Sequence, residues 1–256
     1  MENIPLTLAL LNLFLPLISF IILIFFGKIL GSYAHWVSLA LIGLMLCITG
    51  SLFVNIFHLS ETPILSTSIQ WFTTGSFTVE LGFLINNVAA IMLFVVALIS
   101  SLVHLYSVGY MKGDPRYSRY FAYLGIFTFS MNGIVLADSL IMMYIFWELV
   151  GLSSYLLIGF WFEKDSAADA CKKAFLTNRV GDIGMFIGIM ILFFTVGTFQ
   201  IDGLIEGVRN GAFAENMTLL TIAGILVFMG AVGKSAQFPL HIWLPDAMEG
   251  PTPVSA

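Results

Sequence analysis

Long apolar stretches recur along the whole chain, separated by shorter polar ones. Seven of them are about 20 residues or longer, at 5–26, 36–57, 83–109, 119–137, 139–161, 173–197 and 217–236. A helix of about 20 residues spans the hydrocarbon core of a bilayer, which is about 30 Å thick. A shorter apolar piece, Leu240–Met248, follows Pro239. The pattern predicts an all-α polytopic membrane protein with seven to eight transmembrane helices.

The segment 59–80 breaks this pattern. It is rich in serine and threonine, contains Pro63 and Gly75, and its apolar residues alternate with polar ones. Alternation with a period of two between turn residues is typical of a β-hairpin. We expect a short hairpin outside the membrane. A surface loop is the alternative, and the sequence hardly separates the two.

The composition indicates that the chain lies in lipid. Hydrophobic residues make up 59% of it and charged residues 10%, whereas soluble domains carry about 25% charged residues. The ten basic residues are spread along the chain and form no patch that would bind nucleic acid. Cys47 and Cys171 lie far apart, in or beside apolar stretches, so the sequence indicates neither a disulfide framework nor a metal site.

Outside the predicted spans, all basic residues but one fall in alternate loops. The loops after the first, third and fifth apolar stretches contain Lys28, Lys112, Arg116, Arg119, Lys164, Lys172 and Lys173. The intervening loops hold one basic residue, Arg209, and several acids. By the positive-inside rule, basic loops face the cytoplasm. The sequence thus predicts a multi-pass membrane protein with its N-terminus outside and its basic loops in the cytoplasm; for a bacterial chain, that membrane would be the inner (cytoplasmic) one.

Four ionisable residues lie within the predicted spans: Glu148, Arg179, Asp182 and Lys234. A charge at the centre of a membrane helix costs about 2.5–3.5 kcal/mol on translocon scales, so such residues are usually paired and functional. Arg179 and Asp182 are three residues apart and share one helical face. They could neutralise each other and orient their helix, or they could tune a neighbouring proton relay; the two interpretations are compatible.

Glu148 has no residue of opposite charge nearby on its own helix, so its counter-ion must come from another span. Lys234 is the cation left over, and we expect the two to pair. A carboxylate that moves toward or away from a buried lysine changes the proton affinity of that lysine, as a proton pump requires. A static structural ion pair is the alternative.

Lys234 also lies at an expected helix break, after Gly230 and Gly233 and before Pro239. Interrupted helices are tolerated at membrane depth where they line a cavity, and transporters place ion sites there. His241, just beyond the break, could extend a proton path because histidine titrates near neutral pH. It could equally be a hydrogen-bonded residue at the membrane interface.

Three runs of sequence carry a family resemblance. They are YSRYFAYLGIFTFSMNGIVLADSLIMMYIFWELVGLSSYLLIGFW, KKAFLTNRVGDIG and GAVGKSAQFPLHIWLPDAMEGPTPVSA. Together they resemble the antiporter-like subunit L, or chain 5, of respiratory complex I, over residues 117–256. Residues 1–116 resemble the family mainly in hydropathy and helix order.

The resemblance implies a membrane subunit of a proton-translocating NADH:quinone oxidoreductase. It implies that this chain binds no cofactor, because NADH, FMN, iron–sulfur clusters and quinone would be bound by other subunits. Glu148 would be the glutamate of the fifth helix, and Lys234 the lysine of a discontinuous seventh helix. Arg179 and Asp182 match an RVGD run whose charged pair would influence the link to the adjacent antiporter-like subunit. His241 matches a position that varies in the family.

The resemblance also implies a division of the chain. Residues 1–116 would hold three transmembrane helices and the hairpin, and residues 117–256 the first antiporter-like repeat. Family members continue for hundreds of residues beyond the PTPVSA run into a second, inverted repeat. The chain is therefore expected to be an N-terminal fragment.

Two other functions remain open. The first is the large subunit of a multisubunit Na⁺/H⁺ antiporter, which resembles this family in fold and in the glutamate and lysine positions. The run NRVGD at 178–182 favours the complex I branch. The second is a structural membrane scaffold in which the charges only hold helices together. The sequence contains no paired nucleophile and base and no dinucleotide-binding fingerprint that would indicate an active site of its own.

Overall fold

The apolar stretches form helices, because a backbone in lipid must satisfy its hydrogen bonds within its own segment. The structure, a computed structural model, describes residues 4–58, 65–74 and 77–254. Its helices and strands are α1 (Ile4–Leu30), α2 (Ala34–His58), β1 (Leu65–Thr74), β2 (Phe77–Ile85), α3 (Asn87–Tyr110), α4 (Tyr117–Leu136), α5 (Leu140–Ile158), α6 (Asp165–Val196), α7 (Ile201–Arg209) and α8 (Met217–Lys234). The seven predicted spans correspond to α1–α6 and α8.

Five stretches of the described chain are long and apolar enough to cross a membrane. They are Pro5–Ile56, which contains both α1 and α2, and the helices α3, α5, α6 and α8. The helix α4 is outside this set. It packs against α1, α2 and α3, and it buries polar residues such as Thr128, Ser130 and Asn132. A helix that is covered by protein can be less apolar than one that faces lipid.

The chain divides into two compact units after Leu136. The first contains α1–α4, residues 83–85 and the 3₁₀ turn Thr252–Val254. Its core includes Leu13, Leu52, Leu93 and Leu136. The second contains most of the strand pair and α5–α8. The predicted boundary at residue 116 belongs to a sequence repeat and stays a prediction.

The predicted hairpin is confirmed as a pair of strands, β1 and β2. The second strand continues to Ile85, beyond the predicted limit at residue 80. Residues 59–64 of the predicted segment, and residues 75–76, lie outside the described residues. The backbone N–H of Asp138 donates to the Gly82 carbonyl at 3.2 Å. A side chain at Gly82 would overlap the Asp138 carboxylate, so glycine lets this strand reach the connection between α4 and α5.

Glycines bring α6 and α8 into backbone contact within the second unit. A Cβ atom at Gly181 would lie 2.8 Å from the Met229 carbonyl oxygen, and one at Gly188 would lie 2.7 Å from the Ala223 carbonyl oxygen. Small residues permit this close approach between membrane helices. The contact fixes the position of α8 against the charged part of α6.

The predicted helix break is confirmed, because α8 ends at Lys234. Ala236 adopts a φ of 50°, which a helix cannot accommodate. The indole Nε1 of Trp243 donates at 3.0 Å to the Gly233 carbonyl, which also accepts the Ala236 backbone N–H at 3.2 Å. The apolar piece 240–248 forms two 3₁₀ turns rather than part of an eighth transmembrane helix. Pro239 and Pro245 restrict the backbone there and lack an N–H donor.

Candidate functional site

The four predicted charges meet in the second unit. The helix α5 supplies Glu148, α6 supplies Arg179 and Asp182, and α8 supplies Lys234 at its last residue. The Glu148 carboxylate pairs with the Arg179 guanidinium. The Lys234 ammonium lies 3.6 Å from Asp182 Oδ2. Three helices thus enclose two ion pairs whose charges sum to zero.

The predicted pairing of Glu148 with Lys234 is wrong. Glu148 does find its counter-ion on another helix, but that counter-ion is Arg179. Within the described part of the chain, no ion pair joins Arg179 to Asp182 either. The two residues of α6 instead bond outward, one toward α5 and the other toward α8. Arg179 and Asp182 each lie closer to an opposite charge on a neighbouring helix than to each other. A single sequence does not show which residues of different helices face each other.

Lys234 nevertheless lies against α5 close to Glu148. A Cβ atom added at Gly151 would overlap the Lys234 ammonium. Gly151 is three residues after Glu148, which is about one helical turn. The ammonium therefore reaches the bare backbone of α5 within one turn of the carboxylate. Gly151 is a site residue that the sequence analysis missed, although a glycine three residues from an intramembrane glutamate is a visible signal.

Exposure differs sharply among the four side chains. Asp182 is 2% exposed and Lys234 15%, whereas Glu148 is 21% and Arg179 35% exposed. Burying a charge costs most where water is absent, so Asp182 depends most on its bonds. The Lys234 ammonium has no hydrogen-bond acceptor in range among the described residues. The Asp182–Lys234 pair is thus enclosed and loosely bonded, and the Glu148–Arg179 pair is closer to the surface.

Aromatic residues support both pairs. The indole Nε1 of Trp147 donates to Asp182 Oδ1 at 2.8 Å, which links α5 directly to α6. Tyr144 precedes Glu148 by four residues on α5 and so lies on the same face of that helix. The Arg179 guanidinium lies 4.7 Å from the centre of the Phe175 ring. Neither Trp147 nor Tyr144 was predicted as a site residue, because both lie in an apolar run that hydropathy assigns to the membrane.

His241 lies apart from this cluster. It is exposed on the first 3₁₀ turn after the break, and its ring stacks on Phe238 with 5.8 Å between ring centres. Within the described residues, no hydrogen bond or ion pair connects its side chain to the four charges. A relay role for His241 stays a prediction.

Acidic and basic groups alternate across three helices, so a change at one pair alters the field at the next. In the described ranges, His, Cys, Asp and Glu side chains form no group of three or more that could bind a metal ion.

Two family models match the chain. Residues 137–256 match the one described as NADH:quinone oxidoreductase/Mrp antiporter, TM, and residues 71–121 match NADH-Ubiquinone oxidoreductase (complex I), chain 5 N-terminus. The NAD(P)H-quinone oxidoreductase chain 5 of Synechocystis sp. is 52% identical to this chain over 196 residues. This chain is a homologue of chain 5 of the NAD(P)H-quinone oxidoreductases. The predicted resemblance is confirmed.

The match covers most of this chain and a smaller part of the chain 5 relatives. It includes 73% of this chain and 28% of the Synechocystis protein. The chloroplastic NAD(P)H-quinone oxidoreductase subunit 5 of Mesostigma viride is 47% identical over 220 residues, which are 85% of this chain and 33% of that protein. The chain thus spans about a third of the length of these relatives.

Solved structures confirm the antiporter-like fold. A chain of the membrane-bound sulfane sulfur reductase, an archaeal respiratory membrane complex, has a TM-score of 0.82 at 22% identity, over 96% of this chain and 49% of that one. A chain of the Mrp complex from Dietzia sp. has a TM-score of 0.79 at 25% identity, over 96% of this chain and 26% of that one. Both structures are of membrane complexes, as expected for a multi-pass membrane subunit.

Proposed function

We propose that this chain carries part of the proton path in the membrane arm of an NAD(P)H:quinone oxidoreductase. The observation that supports this most directly is the meeting of Glu148, Arg179, Asp182 and Lys234 from three helices. Electron transfer from NADH to quinone takes place elsewhere in the complex, and NADH, FMN, iron–sulfur clusters and quinone belong to other subunits. The relatives' names support the overall reaction.

The proton step is an exchange of partners. In the arrangement described above, Arg179 holds Glu148 while Asp182 faces Lys234. When a charge arriving along the complex draws Arg179 away, the Glu148 carboxylate is released toward the ammonium that lies at Gly151. Two carboxylates then favour the protonated lysine. When Arg179 takes Glu148 back, Lys234 keeps one loosely placed partner, and its proton affinity falls so that the proton can be passed on.

The energies are sufficient for this exchange. Moving one charge against 100 mV costs about 2.3 kcal/mol. Two unit charges about 4 Å apart interact by about 4 kcal/mol at an effective dielectric constant of 20. Bringing one carboxylate into or out of contact with Lys234 therefore changes its proton affinity by enough to oppose an ordinary membrane potential.

We further propose a location and a partner for the chain. It is a multi-pass protein of the bacterial inner membrane, and its N-terminus lies outside because the basic loops alternate with acidic ones. Its main protein partner is the adjacent antiporter-like subunit, which would deliver the charge that moves Arg179. The exposure of Arg179 supports this contact, since a third of that side chain is open at the surface of the chain.

A Na⁺/H⁺ antiporter subunit is the second candidate. It is supported by the family model shared with the Mrp antiporter and by the likeness to the Mrp complex. The identity to oxidoreductase chain 5 proteins, at 52% and 47%, favours the first proposal.

Lys234→Ala in the assembled complex tests the proposal. In inverted membrane vesicles, NADH-dependent quinone reduction should continue while proton uptake, followed with a pH-sensitive dye, falls. Lys172→Ala is the matched control, because Lys172 is an exposed lysine on α6, the helix that carries Asp182. Normal proton uptake by assembled Lys234→Ala complex would support a scaffold instead. Sodium-dependent proton exchange without NADH-linked activity would support the antiporter.

A further inference from the structure

A second polar site lies in the first unit, among residues that the proposed proton path does not use. A cavity of about 860 Å³, open to the outside, lies between the α1–α2 and α3–α4 connections. Its lining contains two lysines, one histidine, one acid and three large aromatic side chains: Lys28, Lys112, His35, Asp114, Tyr33, Trp36 and Tyr117. Ligand-binding pockets have volumes of about 300–1,000 Å³, so the cavity is large enough for a polar head group.

The two turns that form the cavity are specified by the sequence. Gly31 has a φ of 51° and Gly113 a φ of 93°, so each turn contains a residue in the left-handed conformation that glycine adopts without strain. The His35 Nδ1 donates to the Ser32 carbonyl at 2.8 Å, which closes the first turn. The His35 ring meets Tyr117 edge to face at 5.8 Å and joins the two turns.

The charge of the cavity favours an anion. Lys28 and Lys112 are exposed at its wall. The acid, Asp114, is engaged in its own turn, because its Oδ1 accepts the Arg116 backbone N–H at 2.8 Å. The first residues of α2 and α4 also border the cavity, and helix N-termini add to a positive potential. Phosphate is the anion that such a combination binds well.

The surroundings favour a lipid over a soluble phosphate. Tyr33 and Trp36 at the cavity are 70% and 64% exposed, and aromatic residues of this kind lie at the head-group level of a membrane. The apolar surface continues along α1, where Phe25 is 74% and Ile29 84% exposed. Basic pockets between transmembrane helices bind anionic lipid head groups.

We propose that this cavity binds the phosphate head group of an anionic phospholipid, with the acyl chains along the exposed face of α1. Lys28 and Lys112 contact the phosphate, and Trp36 lies beside the glycerol region. The bound lipid joins the α1–α2 turn to the α3–α4 turn. This site is independent of the proton path.

Trp36 provides a direct measurement. The full chain is placed in nanodiscs that contain phosphatidylglycerol or phosphatidylcholine with brominated acyl chains, which quench nearby indoles. The Trp36 signal is the difference between the parent protein and Trp36→Phe. We expect brominated phosphatidylglycerol to quench it at a lower mole fraction than brominated phosphatidylcholine does. Equal quenching by the two lipids would overturn the proposal.

Lysine variants test the contacts. Lys28→Ala with Lys112→Ala should weaken the preference for phosphatidylglycerol by roughly 30-fold, since each lysine contributes about a factor of five near an anionic head group. Lys164→Ala with Lys172→Ala removes two lysines outside the cavity and should change nothing. Lys28→Arg with Lys112→Arg keeps the charge and should retain the preference. Lys28→Gln with Lys112→Gln removes both charges but keeps polar side chains of similar length, and should weaken the preference as the alanine variant does; this variant decides the question if the alanine variant fails to fold. An unchanged preference in the folded alanine variant would contradict the proposal.

Inorganic phosphate separates the two sources of the anion. It is added to the protein in neutral detergent, and the Trp36 signal is followed. If phosphate alone shifts this signal and also abolishes quenching by brominated phosphatidylglycerol, the cavity is a soluble-anion site and the lipid proposal fails. If phosphatidylglycerol quenches with and without phosphate, the lipid proposal holds.

Discussion

The two compact units bury polar groups in different ways. In the first unit, amide and hydroxyl groups bond between α1, α2 and α4. Thr49 Oγ1 donates to Asn12 Oδ1 at 2.6 Å, and Asn132 Nδ2 donates to the Asn12 carbonyl at 3.2 Å. In the second unit, α5, α6 and α8 are joined by ion pairs. Neutral hydrogen bonds hold helices together at little cost, whereas buried ions cost several kcal/mol each to desolvate.

This difference indicates which unit does chemistry. A neutral bond such as Asn12–Thr49 connects helices but cannot transmit a change of charge. The ion pairs of the second unit can, and that capacity explains why a costly arrangement is retained. The following predictions test whether the two kinds of buried polar group behave as differently as this comparison requires.

Asp182→Ala should have the largest effect on stability. It leaves Lys234 without its only ion-pair partner among the described residues. Breaking one side of a buried pair costs about 3–5 kcal/mol. Denaturation in mixed micelles should show this loss, and Asp182→Ala with Lys234→Ala should recover part of it. Asp169→Ala, at a pair whose side chains are 78% and 64% exposed, should cost under about 1 kcal/mol. A double variant no more stable than Asp182→Ala would contradict the assignment.

Trp147→Phe should have the second-largest effect on stability. It keeps the aromatic ring and removes the N–H that donates to Asp182. Hydrogen bonds to charged groups contribute about 1.5–3 kcal/mol, and the free energy of unfolding should fall by about that amount. Proton uptake should fall as well, because α5 loses its direct bond to α6. A matched change at an indole that is 57% exposed, Trp71→Phe, should leave both measurements unaltered.

Gly181→Ala tests the contact between α6 and α8. The added methyl group would lie 2.8 Å from a backbone oxygen of α8, so the helices must separate. Overpacking of this kind costs about 1–3 kcal/mol. Gly224→Ala is the control, since a Cβ atom there has open space around it and alanine is the better helix former. Thermal unfolding should show opposite signs for the two variants.

Thr49→Val should have a smaller effect on stability. It tests whether the neutral hydrogen bonds of the first unit take part in proton transfer. It removes a neutral hydrogen bond while keeping the shape of the side chain, which costs about 1 kcal/mol. Because no charge changes, proton uptake by the assembled complex should be unaffected. A large loss of proton uptake in a stable Thr49→Val complex would show that the first unit also takes part in proton transfer.

Asp138 gives the smallest effect. It lies between α4 and α5, and burial raises the pKa of its carboxyl although Gln200 and Gly82 contribute opposing hydrogen bonds. The folded protein therefore holds a proton that the unfolded chain releases near pH 4. Stability should be greatest below that pH and should decline as the pH rises through the folded pKa. Melting temperatures of Asp138→Asn should lack this decline, whereas those of the exposed-site variant Asp169→Asn should retain it.

Hydropathy predicted the helices well because lipid imposes one simple rule on backbone bonding. It predicted less where protein covers a segment. The helix α6 begins at Asp165, eight residues before the predicted start of its span. The polar first turns of α6 pack against the 3₁₀ turn Asp246–Glu249, where Lys173 pairs with Asp246 at 2.6 Å. The helix α7 was also missed, although apolar residues at Ile201, Leu204 and Ile205 recur with helical spacing.

The four charged residues of the candidate site were predicted, but the bonds between them were not. Charges inside apolar stretches are visible in any single sequence, and so is a helix break marked by glycine and proline. Which charge faces which depends on how α5 and α8 are rotated against α6. That rotation is set by packing contacts such as Gly181 against Gly233, which no periodicity reveals.

The bare backbone at Gly151 has one more consequence. The terminal nitrogen of Lys234 occupies the volume that the smallest possible side chain would need. The Lys234 side chain can reach α5 because Gly151 leaves room for the ammonium at this position. A single methyl group at this position would force the arm to fold back toward Asp182. The absence of a side chain at Gly151 thus lets the Lys234 ammonium lie against α5. The proposed exchange of partners depends on this position of the ammonium.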